Sequence, residues 1–248
     1  MHHFFVTPDN VNIEDKKIVI TGSDVNHIKN VLRMKIGEEL LISDGAGQDY
    51  MCEVEEFTDS SEVIAKINET EFSGTELSSK IFLFQGLPKS DKMELIIQKA
   101  VELGVFEIIP VATKRAIVKL DKKKEQSKIN RWNEISKSAA KQSRRSIIPK
   151  VCNVMSFKEA IEYAKTLDIN LIPYENYKDM QETKTVINEI TKDQNIGIFI
   201  GPEGGFADEE VELAVNNNVK RISLGKRILR TETAGLMIIS VLMYKLED

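Results

Sequence analysis

Ile196-Gly197-Ile198-Phe199-Ile200 runs directly into Gly201-Pro202-Glu203-Gly204-Gly205-Phe206 and then into Ala207-Asp208-Glu209-Glu210. An apolar run, a glycine-rich break and an acidic run read in that order as strand, loop and helix. The order recurs in variant form close behind. Arg221-Ile222-Ser223-Leu224-Gly225 leads into Lys226-Arg227-Ile228-Leu229-Arg230-Thr231-Glu232-Thr233-Ala234 and then into a very apolar helix. One such loop is equally well explained as a tight turn that keeps glycine for positive φ. Two in succession, the second holding Arg230, Thr231, Glu232 and Thr233 in a row, point to a ligand pocket.

Charge narrows the ligand. A glycine loop between strand and helix usually suits phosphate, because bare N–H groups and the helix dipole favour an anion. Here Glu203 lies inside the loop, Asp208, Glu209 and Glu210 follow it, and no Gly-Lys-Ser/Thr ending supplies a cation. The spacing G-P-E-G-G also departs from the dinucleotide fingerprint G-x-G-x-x-G. A ligand with a neutral or cationic reactive group fits better, and the sulfonium of S-adenosylmethionine is the expected candidate.

The rest of the chain frames this pocket. Its 248 residues suffice for one large or two modest domains, and 42% hydrophobic with 29% charged residues is ordinary for a folded soluble chain. Residues 1–72 are β-rich, with strands expected at 17–20, 39–43, 50–54 and 63–67 and one helix at 24–33, which together suggest a small barrel. Residues 70–79 have linker composition. From there the texture alternates. A strand at 81–84, a helix capped by Ser90 or Asp91 with Glu94 in a capping box, and a strand at 106–111 make a βαβ unit and imply a parallel sheet. Helices are expected at 128–144, 156–165 and 208–216, and strands at 169–172, 196–200 and 221–224.

Cys52 and Cys152 stand far apart, and His2, His3 and His27 form no metal-binding spacing, so neither a disulfide framework nor a metal site is expected. The start of the chain lacks signal-peptide character. The longest apolar run, 234–244, falls short of the roughly twenty residues that span a bilayer. A reducing, cytoplasmic setting with no membrane partner is the simplest reading. Net charge is −5, yet residues 114–150 hold thirteen Lys or Arg against three acids. Such a basic stretch on an acidic chain suits phosphate contacts, and Lys137, Lys141, Arg144 and Arg145 on one helix lean towards RNA. The run Lys122-Lys123-Lys124 reads as a solvated face.

Together, the two tail motifs resemble the ribosomal RNA small subunit methyltransferase E family, within the SPOUT class of methyltransferases. Segments 27–33, 98–105, 131–132 and 139–144 resemble family segments in the same order, so the resemblance covers essentially the whole chain. It implies an N-terminal PUA-like β-barrel, residues 1–72, and a C-terminal α/β domain, residues 73–248, tied in a trefoil knot around S-adenosylmethionine. It also implies a homodimer and methylation of N3 of a uridine in 16S ribosomal RNA. The family commonly begins Met-x-Arg-Phe-Phe, where this chain has His2-His3-Phe4-Phe5, which leaves the RNA contact of that arm open.

Uracil N3 must lose a proton before it attacks a methyl group. Glu203 and Glu232 are the candidate bases, each with an alternative role as a helix cap. Arg230 is the candidate for stabilising charge on the uracil or gripping its phosphate, with pairing to either Glu as its alternative. Gly201 and Gly225 are expected to let backbone approach the cofactor, Leu224, Ile228 and Leu229 to wall it, and Thr233 and, by analogy, Ile172 to complete the pocket. Arg33, Arg115, Lys141, Arg144 and Arg145 are the expected RNA contacts. Ribose 2′-O methylation and a non-catalytic, RNA-binding assembly factor are the rival readings.

Overall fold

The structure is a computed structural model that describes residues 1–72, 75–118, 121–177 and 179–247. Ser73 and Gly74, at the expected domain boundary, lie outside the described residues. Contacts divide the chain into two compact units, Met1–Glu76 with Ala140–Ile148, and Leu77–Ala139 with Pro149–Asp248. The first thus takes in a segment that the sequence places in the second domain.

In the N-terminal unit β1 (His2–Phe5), β2 (Val11–Asn12), β3 (Lys17–Ile20), β4 (Glu39–Ser43), β5 (Gln48–Phe57) and β6 (Val63–Phe72) form one sheet in the order β1-β4-β5-β6-β3-β2. The β1–β4 pair is parallel and the others antiparallel. Strand pairing among the described residues leaves β1 and β2 at the two ends of the order, so it does not close the expected barrel into a ring. Ile18, Ile20, Leu40 and Ile42 point into a core that Phe4, Val54 and Val63 share, the period-two burial of a sheet with one dry face. That core is completed by α1 (Ser23–Asn26), which continues as a π-helical stretch, His27–Val31, carrying the buried Val25 and Ile28.

Two polar knots fasten this unit. The Ser43 hydroxyl donates to Asp49 Oδ1 at 2.5 Å, so it must accept from His3 Nε2, 2.6 Å away. Burial lowers the His3 pKa, the Lys141 carbonyl opposes this, and the charges of Lys141 and Arg144 reinforce it. The other knot is Glu76, whose carboxylate takes the Arg145 guanidinium and the N–H groups of Ser146 and Ile147.

The second unit runs β7 (Lys80–Gly86), α2 (Lys92–Glu102), β8 (Val105–Ala112), α3 (Lys122–Ser143), β9 (Lys150–Val151), β10 (Met155–Ser156), α4 (Phe157–Ala164), β11 (Ile169–Pro173), α5 (Met180–Glu189), β12 (Asn195–Ile200), α6 (Asp208–Asn216), β13 (Lys220–Ile222) and α7 (Thr231–Leu246), with the last turn of α3 counted in the first unit. Its sheet has the order β10-β8-β7-β12-β11-β13, with β9 beside β8, and every pair is parallel. The central β7 and β12 are buried over nearly their whole length, as strands covered on both faces must be, and the Phe84 and Phe199 rings stack between them at 4.4 Å. All strands point the same way, so the loops after β7, β11, β12 and β13 gather at one edge of the sheet, where open α/β folds bind ligands.

The structure departs from the sequence reading in places. Asp91 is the N-cap of α2 but its side chain makes no capping bond, and the Glu94 carboxylate that would complete the box turns to Arg131 at 2.8 Å. The expected type of box appears at α4, where Ser156 and Glu159 exchange bonds with each other's backbone N–H. Helix α3 begins at Lys122, so the lysine run opens a helix, and α5 was not foreseen.

Candidate functional site

The loop after β12 folds tightly. A Cβ on Gly201 would stand 3.0 Å from the backbone of Gly205, and one on Gly86, at the end of β7, only 2.7 Å from Pro202 Cδ. The Thr231 hydroxyl, at the first turn of α7, donates to the Gly201 carbonyl at 2.5 Å and accepts from Gln85 Nε2 at 2.9 Å. The ends of β7 and β12 and the start of α7 are thus bonded at one point, although Gln85 and Thr231 lie 146 residues apart.

Around that point opens a cavity of about 860 Å³. Its walls are the loops 200–206 and 223–231 together with residues 173–177 after β11. Pro173, Phe206, Leu224 and Leu229 supply apolar surface, and Gly205 and Gly225 supply bare backbone. Both glycines have left-handed φ, +66° and +106°, and no heavy atom lies within 4 Å of where their Cβ would be. The cavity therefore has two places where a flat ligand meets main chain with no side chain in between.

The first turn of α6 shows why phosphate is unwelcome. Glu210 accepts from the Ala207 N–H at 2.9 Å and from the Lys114 N–H at 2.8 Å, so the helix N-terminus is already served by a carboxylate.

Lys92, which the sequence reading passed over, organises the charge. Its Nζ lies 3.0 Å from Glu203 Oε1 and 3.4 Å from Glu232 Oε2. Glu203 also accepts from the Lys89 N–H through both oxygens at 3.2 Å. Burial would raise the Glu203 pKa, but the hydrogen bonds from Lys92 and from two backbone N–H groups, with the Lys92 charge, hold it below the usual carboxylate value. The hydrogen bond to Glu203 raises the pKa of Lys92, burial opposes it and Glu232 adds to it. One cation thus serves both carboxylates. Arg230 pairs with neither: it lines the cavity, is exposed, and among the described residues no carboxylate meets its guanidinium.

Residues 75–243 match the family described as RNA methyltransferase domain, and residues 20–68 match RNA methyltransferase PUA domain. The chain is 36% identical to ribosomal RNA small subunit methyltransferase E of Bacillus subtilis, covering 100% of this chain and 98% of the relative. The chain belongs to the ribosomal RNA small subunit methyltransferase E family. A solved member of that family from Neisseria gonorrhoeae, bound to S-adenosyl methionine, is 30% identical, with a TM-score of 0.83 over 99% of this chain and 98% of that one. A putative methyltransferase from Legionella pneumophila, also with bound cofactor, is 29% identical, with a TM-score of 0.83 over 98% and 97%.

As a member of the methyltransferase E family the chain carries most of the site residues expected from its sequence on one cavity. Gly201, Glu203, Leu224, Gly225, Ile228, Leu229 and Arg230 all line it. Three do not. Ile172 is fully buried in the sheet core, and its neighbour Pro173 reaches the cavity instead. Thr233 faces outward one residue before Ala234, which does line it. Glu232 reaches the site only through Lys92. Glu175, exposed on the wall after β11, joins the lining without any sequence motif to announce it.

The expected RNA contacts separate more sharply. Arg145 is a correction: it is 4% exposed, and its guanidinium lies 2.5 Å from Glu76, so its charge is neutralised inside the N-terminal unit. Lys141 is half-buried, 3.0 Å from Asp24 and over the Phe4 ring at 4.3 Å. Arg115 is exposed beside the glycine loop, donating to the Gly204 carbonyl at 3.2 Å. Arg33 and Arg144 are exposed, and no carboxylate among the described residues pairs with either.

Proposed function

We propose that this chain moves the methyl group of S-adenosylmethionine to N3 of a uridine in 16S ribosomal RNA, and that it does so in the cytoplasm as a homodimer whose C-terminal segment forms a SPOUT-type trefoil knot. Methylation of small-subunit ribosomal RNA with S-adenosylmethionine as donor is the family's activity. The observation that carries the reading is the cavity itself, built from two glycine loops with bare backbone at Gly205 and Gly225 and lined by the exposed Arg230, whose guanidinium no carboxylate among the described residues meets.

The residues present fit the cofactor. Gly201, Gly205 and Gly225 offer backbone to an adenosine, Leu224 and Leu229 offer apolar walls, and the exposed Glu175 offers a carboxylate to hydroxyl or ammonium groups. Ile228 lines the same cavity and is 85% exposed, open apolar surface for a ligand to cover. When bound, S-adenosylmethionine supplies an activated methyl group on a cationic sulfur. The chain's own part is to orient the uracil and stabilise it as its N3 proton leaves. We assign that part to Arg230, a cavity cation whose guanidinium no carboxylate among the described residues neutralises. Glu203 is held ionised by Lys92 and by the Lys89 N–H, which weakens it as a base. With Glu232 it holds Lys92 and the loop in place.

The knot is supported by the path after β13, which crosses from the sheet edge to start α7 against Gly201 and Gln85. The dimer is supported by α7, which turns Met237, Val241 and the 86%-exposed Tyr244 outward along one stripe.

Labelled methyl transfer to unmodified small ribosomal subunits, followed by nucleoside mass spectrometry, tests the proposal. N3-methyluridine is the expected product, with Arg230→Ala slowing the reaction about a hundredfold or more. A 2′-O-methyl nucleoside would replace base methylation with ribose methylation.

A further inference from the structure

The two glycine loops are fastened from different sides. The first hangs on the Thr231 hydroxyl. The second begins at Ser223, the first residue past β13, which lines the cavity yet is only 5% exposed. The Ser223 N–H donates at 2.8 Å to the hydroxyl of Thr183, a buried residue near the start of α5 that does not itself line the cavity.

That hydroxyl has its orientation fixed. It donates at 2.8 Å to the Asp179 carbonyl one turn back, which leaves a lone pair to accept from Ser223. Asp179 is held in turn, because as the N-cap of α5 its carboxylate accepts from the Glu182 N–H at 2.8 Å. On the loop side the Ser223 hydroxyl accepts from the Gly225 N–H at 3.3 Å, a serine turn that leads into the left-handed φ of +106° at Gly225. Hydrogen bonds thus run without a break from the head of α5 to the bare backbone that the cavity offers its ligand. Thr185, two residues further along the helix, makes the same kind of bond to the Gln181 carbonyl at 3.1 Å, but it is exposed and is not part of the cavity wall.

We infer that Thr183 is a positioning residue for the cofactor: its hydroxyl sets the second glycine loop in the binding conformation before the ligand arrives, without touching the ligand. The inference rests on the reading of this cavity as the S-adenosylmethionine site and deepens it by naming what holds Gly225 in place. Valine at position 183 keeps the shape and offers neither donor nor acceptor. It leaves the Ser223 N–H buried and unpaired, and the chain relieves that by turning Ser223 towards water, which carries the Gly225 turn with it.

Residue-resolved hydrogen exchange and calorimetric titration with S-adenosylmethionine test this on the wild-type chain, Thr183→Val, Thr183→Ser and Thr185→Val. In the wild-type chain without cofactor the Ser223 amide should already exchange about a hundredfold or more slowly than an open loop. Thr183→Val should speed exchange at Ser223 and Gly225 by about tenfold, and leave the Gly205 amide of the first loop, bonded to the Pro202 carbonyl, as it was. The same variant should bind the cofactor about tenfold more weakly. Thr183→Ser should restore both quantities, and Thr185→Val should alter neither. A folded Thr183→Val with wild-type affinity would overturn the inference, and so would weaker binding accompanied by an equal rise in exchange at Gly205, which marks general loosening. Free exchange at Ser223 in the wild-type chain would overturn it without any variant, so a Thr183→Val chain that fails to fold does not shield it. Failure of the wild-type chain to bind S-adenosylmethionine would count against the methyltransferase reading, while exchange at Ser223 and Gly225 still decides whether Thr183 fixes the loop.

Discussion

Lys92 is where a single atom decides most about the site. Its ammonium joins Glu203 on the glycine loop to Glu232 on α7. The folded-state pKa of Glu203 lies below its ordinary 4.5, so what this carboxylate contributes is present above that value and lost as pH falls through the lower one. The folded-state pKa of Lys92 lies above its ordinary 10.5, so its contribution is complete below that value and lost at higher pH. Affinity for S-adenosylmethionine should therefore be flat between those limits and fall on acidification below pH 4.5. In Lys92→Met the two carboxylates face each other without a cation, which raises the pKa of one of them. The acid limb of the binding profile should then move to higher pH, and Lys92→Arg should restore it. A profile unmoved by Lys92→Met would show that the pair does not govern the loop. Nothing in the sequence marks Lys92, because its partners lie over a hundred residues away and no periodicity links them.

At the scale of elements, the hydroxyl of Thr231 holds the start of α7 to the ends of β7 and β12. Thr231→Val keeps the shape and removes a donor to the half-buried Gly201 carbonyl and an acceptor for the buried Gln85 amide. Leaving such groups unpaired costs roughly 1–3 kcal/mol. Thermal unfolding should show a loss of several degrees, about 2–4 °C per kcal/mol in a protein of this size, and an unchanged midpoint would mean that the three elements are held by packing alone. Most of this architecture was legible in the sequence. The strand–loop–helix order around Gly201 and the βαβ alternation placed β7, β8, β12 and α6 within a few residues, because parallel strands covered on both faces read as unbroken apolar runs and amphipathic helices as a clear period. Helix α5 was missed because Met180–Glu189 carries only two buried residues, Thr183 and Val186, and so shows little stripe. The Asp91 capping box was misread because spacing alone cannot reveal that Arg131 takes Glu94.

For the whole molecule, charge and surface decide how it meets its partners. The basic excess of residues 114–150 was visible in composition, but its use was not. Arg145 and Lys141 pair with Glu76 and Asp24, while Arg144, next to Arg145 in the chain, meets no carboxylate among the described residues and sits exposed at a left-handed turn. A charge count cannot make that distinction, which depends on acids brought in from residues 24 and 76. The outward stripe of α7 has an equally direct consequence. Val241→Glu with Tyr244→Glu should convert a dimer to a monomer in sedimentation, and a doubly substituted chain that still sediments as a dimer would place the interface elsewhere. No helix among the described residues is long and apolar enough to cross a membrane.

The central claim is that the two glycine loops hold S-adenosylmethionine. Calorimetric titration of the cofactor into the wild-type chain and into Gly225→Val, with circular dichroism to confirm folding, tests it most directly. A side chain at Gly225, where φ is +106° and the space beside the backbone is open to the cavity, both strains the loop and occupies the ligand's place. One cofactor bound per wild-type chain, and none by the folded variant, is the expected result. Failure of the wild-type chain to bind, or equal binding by both, would contradict it.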